Sequence, residues 1–179
     1  MTETEKHCVF RKGRTWLGMP AIVVREVMPR PAFVSVPHTH RVLTGLCHIR
    51  SEFIPVLNLC CLLPAEHSGN EAFLLIVEDT DGDWGILVDE VIALASLEPS
   101  DAPEEIQSDW NQTIIGWATH REKLVRLIDH ARFRQLAEWD MNDSWQRNLT
   151  ESHVLSDDEF IDLDESEEET LSHQHAIVK

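Results

Sequence analysis

Val42 to Leu63 reads VLTGLCHIRSEFIPVLNLCCLL, two β-rich runs around a short charged tip, Arg50-Ser51-Glu52. Such runs around such a tip predict a β-hairpin. Pro55 has no amide hydrogen to give a ladder, so its strand is predicted to be an edge or to be bulged there. Gly45, at the entry, predicts a tight bend or a close approach of backbone. Leu59 to Leu63 reads as a short helical turn that Pro64 ends.

The flanking chain keeps the same rhythm. His7 to Arg11 and Thr15 to Met19 read as strands around the turn Lys12-Gly13-Arg14, Pro20 opens a brief helical turn, and Val23 to Met28 is the next strand. Ala72 to Val77 is continuously apolar, which predicts a strand buried on both faces. Asp79-Thr80-Asp81-Gly82-Asp83 is a turn, followed by strands at Trp84 to Val88 and Val91 to Leu97. Pro99 to Trp110 reads as an irregular acidic loop. A second hairpin is predicted from Ile114 to Ala118 and Leu124 to Ile128, around His120-Arg121-Glu122. Asp129 is a good N-cap for a closing helix through Ala131, Phe133, Leu136 and Ala137 toward Met141. Short strands at this spacing, about ten of them, predict an all-β fold of small barrels or a sandwich. The domain is placed at residues 7–140, with sub-barrels at 7–66 and 71–130 meeting at the loop His67-Ser68-Gly69-Asn70.

Charge limits the partners. The chain carries a net −17, and nine of those charges lie in residues 150–179, an acidic, Ser-containing tail expected to be disordered. Nucleic acid and anionic membranes would repel such a chain. No apolar run is long enough to span a bilayer, so no membrane insertion is expected. The first residues lack a basic start and an apolar core, which predicts a cytoplasmic protein. Cys8, Cys47, Cys60 and Cys61 are then read as free thiols, acting as small buried apolar residues.

Candidate chemistry is sparse. There is no nucleophile elbow, phosphate-binding loop or dinucleotide fingerprint. His38-Thr39-His40 could present two imidazoles to a metal, but further ligands would have to come from elsewhere. The alternating aspartates of D-T-D-G-D resemble a calcium loop without its later glutamate, and a hairpin turn explains them as well. Asp89 and Glu90 are neighbours on a strand, pointing to opposite faces, so they cannot share one substrate bond. These readings predict a binding module with no cofactor and no metal; a small metal-dependent enzyme using the histidines is a distant alternative.

Phe10-x-x-Gly13-x-x-Trp16-Leu17-Gly18-Met19-Pro20, Val24-Arg25-Glu26-Val27 and the stretch from Gly45 to Leu63 resemble the CheW-like domain family. So do Gly85-Ile86-Leu87-Val88-Asp89-Glu90-Val91 and Ile115-Gly116-Trp117-Ala118 with Leu124 to Asp129. The resemblance implies two small five-stranded SH3-like β-barrels with a shared core, a short C-terminal helix and no enzymatic activity. It also implies an adapter that couples the cytoplasmic tip of a methyl-accepting chemoreceptor to the regulatory domain of a CheA-type histidine kinase in chemotaxis. A scaffold in a pilus-motility or other chemosensory array is the alternative. Arg50 and Glu52 at the hairpin tip, with Val24 and Glu26 on the preceding strand, are the implied partner-contact residues. Where the family commonly has Arg-Gly-Glu at the tip, this chain has Arg50-Ser51-Glu52; His48-Ile49 and Asn58-Leu59-Cys60 also depart from the family pattern.

Overall fold

The computed structural model describes residues 5–36, 41–63, 65, 69–101 and 113–156, with side chains to residue 147. Its strands are β1 (Lys6–Lys12), β2 (Thr15–Pro20), β3 (Val24–Pro29), β4 (Leu43–Ile49), β5 (Glu52–Leu57), β6 (Phe73–Val77), β7 (Trp84–Val88), β8 (Glu90–Ser96), β9 (Glu98–Ser100), β10 (Ile114–His120) and β11 (Lys123–Ile128). The helices are α1 (Leu59–Leu62) and α2 (His130–Ser156), and a single 3₁₀ turn, Ala21–Val23, follows Pro20. The chain divides into two units, Met1–Ser144 and Trp145–Lys179, and every strand among the described residues belongs to the first.

The strands form two sheets, ordered β8-β1-β2-β11-β10-β9 and β3-β6-β7-β5-β4. The fold is mostly β, with the two SH3-like barrels the sequence led us to expect. The pairing, however, does not divide the chain near residues 66–71. β1 and β2 join β8 to β11, while β6 and β7 join β3 to β5. Each sheet is completed by one parallel pair between strands distant in sequence, β2 with β11 and β5 with β7. Parallel pairs need long crossovers, so no local turn signal encodes them. One sheet has six strands rather than five because β9 forms at the start of the stretch read as irregular.

β6 explains how the two barrels share material. Leu75 and Val77 face the core between the sheets, where Phe10, Leu17 and Trp84 meet them. Leu74 and Ile76 face a second cluster with Cys47, Ile54 and Val56. The strand is buried on both faces, which is why its sequence is uninterrupted by polar residues.

Pro55 meets the expectation of a local edge, because β7 pairs with β5 only from Val56 onward. β5 lies inside its sheet, and the bulge falls in β4, between Leu43 and Gly45. Leu46 exchanges both backbone hydrogen bonds with Val34, at 2.8 and 2.9 Å, so its polar groups point away from β5. Pro55, opposite Leu46, therefore turns its nitrogen away from β4, toward the β7 side, where pairing begins only at Val56. The segment at Val34 also explains Gly45, since a Cβ there would stand 2.6 Å from the Val34 carbonyl oxygen.

α2 starts at its predicted cap, and α1 starts at a cap that the sequence reading did not name. Asn58 Oδ1 accepts from the Cys60 amide at 3.1 Å, and Asp129 Oδ1 accepts from the Arg132 amide at 3.1 Å. α2 is longer than expected: it runs 27 residues, so residues 150–156, assigned to a disordered tail, are helical. No glycine or proline interrupts the chain from Asp129 to Ser156, so nothing local ends the helix earlier. Residues 157–179 of the expected tail lie outside the described residues.

A charged corner beside an apolar groove

The β4–β5 hairpin ends in a two-residue turn. Arg50 and Ser51 both have positive φ, 48° and 78°. That is the signature of a type I′ turn, whose twist matches the strands it joins. Arg121 and Glu122, at φ 46° and 64°, do the same for β10 and β11. Neither turn carries the Gly or Asn that tolerates this conformation, so each stores backbone strain. Ser51→Gly is expected to stabilise the domain by about 0.5–1 kcal/mol, the relieved strain less the entropy glycine adds to the unfolded chain. Chemical denaturation measures this, and an unchanged or lower midpoint would mean that Ser51 contributes a compensating contact.

The tip is tied to β3 by crossed ion pairs. Arg50 Nη2 donates to Glu26 Oε1 at 3.1 Å, with the arginine side chain 70% exposed. Arg25 donates from Nη1 and Nη2 to Glu52 Oε2, both at 3.1 Å, and pairs with Asp83 as well. β3 lies three places from β5 in the sheet order, so these contacts exist because the sheet curls until its edge meets the tip. Glu26, Arg50 and Glu52, three of the predicted contact residues, thus stand together. Val24, the fourth, is half-buried and packs against the shared core.

Val24 also lines a groove of about 380 Å³ between β3 and β8. Its walls are Ala21, Val24 and Val27 on one side and Val91, Ala93 and Leu94 on the other, and Arg25 and Glu26 line it too. β3 and β8 are each the last strand of a different sheet. Leu94 and Ile22, on the segment leading into β3, are largely exposed. Sequence reasoning missed the β8 wall, because nothing local says which strand of one sheet borders the edge of the other. It also missed Arg25, whose role depends on the curl.

Next to the tip, His48 and Phe53 are cross-strand partners, with ring centroids 4.9 Å apart, and Phe53 is 73% exposed.

The aspartate turn holds a protein cation. Arg134 of α2 donates to the Gly82 carbonyl at 2.6 Å and the Asp81 carbonyl at 3.1 Å, and lies 3.4 Å from Asp79. Burial works against the Asp79 charge, but Arg134 overrides it and holds the carboxyl below its usual range. Among the described residues no group of three or more His, Cys, Asp and Glu could hold a metal ion. His38 and His40 lie outside the described residues.

The thiols divide. Cys8 and Cys47 are buried, and burial pushes the Cys8 thiol up to about 11. Cys60 is half-buried and Cys61 exposed, against the expectation that all four are buried. The pair protrudes because α1 is only one turn long and turns Leu59 and Leu62 inward instead.

Three comparisons bear on this arrangement. The family described as the CheW-like domain matches residues 6–138. Protein PilI of Pseudomonas aeruginosa is 30% identical over 87 residues, which are 48% of this chain and 49% of PilI. The chain thus matches about half the length of that curated relative. The crystal structure of the scaffolding protein TtCheW from Thermoanaerobacter tengcongensis aligns with a TM-score of 0.63 at 22% identity, covering 73% of this chain and 87% of that one, a likeness of fold. With the family match running from the first residue of β1 into α2, through both sheets and the charged corner, the chain belongs to the CheW-like domain family.

Proposed function

We propose that this protein is a non-enzymatic, cytoplasmic coupling scaffold that joins the tip of a methyl-accepting chemoreceptor to the regulatory domain of a CheA-type histidine kinase. The observation that carries the reading is the corner itself: an exposed arginine, held by Glu26, beside an apolar groove between two sheet edges. An amphipathic helical partner buries its apolar face in such a groove. A carboxylate at its margin can exchange places with Glu26 and take a charge-assisted bond from Arg50. The family supplies the class of partner. Among the described residues no helix is long and apolar enough to cross a membrane.

Arg50→Ala is expected to weaken binding of a purified receptor tip about tenfold. The melting temperature should stay nearly unchanged, because the Arg50–Glu26 pair is largely solvated. Calorimetric titration reads the affinity; an affinity equal to wild type would reduce Arg50 to a turn residue.

The match to Protein PilI favours a second reading, in which the same scaffold serves a pilus-motility array instead of flagellar chemotaxis. Deleting the gene separates the two. Loss of surface motility with swimming chemotaxis intact supports the pilus array, and the reverse supports chemotaxis.

A further inference from the structure

β3 departs from a regular strand at one point. Val24 pairs with Val77 and Glu26 with Ile76, so Arg25 is the additional residue of a β-bulge. Neighbouring side chains on a regular strand point to opposite faces, and a bulge re-aims one of them. Here Arg25 and Glu26 both reach the β4–β5 tip, one at Glu52 and the other at Arg50. Arg25 is also shared with Asp83, at the entry to β7, whose side chain is only 13% exposed. A planar guanidinium can hold two carboxylates at once, which an ammonium does less well. Arg25 lines the groove as well.

We infer that Arg25 is a positioning residue for the docking corner. Bridging Glu52 and Asp83, it fixes the hairpin tip against β3, so that Arg50 is held against Glu26 at the margin of the groove. This rests on the docking reading above. On its own, Glu52 would be a charge at the margin; with Arg25 it becomes part of the frame that holds Arg50.

The test compares Arg25→Gln, Glu52→Gln and the double variant, in the full-length protein. The first readout is hydrogen exchange at the Glu52 amide in the protein alone. The second is affinity for a purified receptor tip. Arg25→Gln is expected to speed exchange at the tip about tenfold and to weaken the receptor tip about fivefold. Glu52→Gln should reproduce both effects in part, and the double variant should be no weaker than Arg25→Gln alone, because both substitutions remove one interaction. Unchanged exchange in Arg25→Gln overturns the inference. So does a loss of affinity without a change in exchange, which would make Arg25 a direct partner contact, and so do fully additive losses in the double variant. If the wild-type protein binds no receptor tip, the docking reading fails, while exchange still decides whether Arg25 holds the tip.

Discussion

Lys12→Met is expected to destabilise the domain by about 3 kcal/mol, read as a fall in the urea midpoint. Lys12 sits on β1 with only 1% of its side chain exposed. Its ammonium pairs with Glu71, just before β6, and lies 3.9 Å from Asp89 Oδ1, between β7 and β8. Asp89 is itself 2% exposed and accepts from the Gly13 amide at 2.7 Å, closing the β1–β2 turn. Arg11 stands 3.9 Å from Asp89, and Arg30 lies 3.1 Å from Glu71. The network therefore ties β1 of one sheet to residues flanking β3, β6 and β7 of the other. Removing its buried cation leaves a buried carboxylate short of charge compensation, which costs more than the pair contributes while intact. The partner variant Glu71→Met, made together with Lys12→Met, should recover part of the loss, with a coupling of about 1–3 kcal/mol. A loss below about 1 kcal/mol would mean that water reaches the pair and screens it.

Phe133→Ala should cost still more, about 3–5 kcal/mol, with a matching fall in melting temperature. Phe133 is 1% exposed, and its ring stacks on Trp84 with centroids 5.4 Å apart and planes 16° apart. Ala137, one turn along α2, is fully buried in the same cluster. These two residues seat the helix on the core between the sheets. Truncating the ring opens a cavity lined by residues of both sheets and by Trp84, none of which can move far in a packed interior. A cost under about 1 kcal/mol would show that the core closes over the gap without the ring.

The parts of this fold that the sequence disclosed are those that local chemistry dictates. Asp129 caps α2 because its side-chain oxygen can reach an amide three residues on. The D-T-D-G-D turn needs Gly82 at φ 107°, and β6 had to be apolar throughout because both of its faces are buried. What stayed hidden depends on the path of the chain in space. The parallel pairs β2–β11 and β5–β7 join residues far apart in sequence, so the division at residues 66–71 followed the rhythm of turns and missed the sheets. The charged corner was half legible. Arg50 and Glu26 do pair, but Glu52 is joined to β3 through Arg25, and Arg25 and the β8 wall enter only because a bulged strand curls back on the hairpin tip. The cation in the aspartate turn could not be read either, since Arg134 comes from a helix more than fifty positions away.

The proposed coupling role requires this protein to link two partners that do not need to touch each other. Mixing it with a purified receptor tip and a CheA-type regulatory domain, then measuring mass by sedimentation, tests this most directly. A three-component complex is expected that forms only when this protein is present, and that Arg50→Ala disrupts. Sedimentation of the protein as a free species, with neither partner bound, would contradict it.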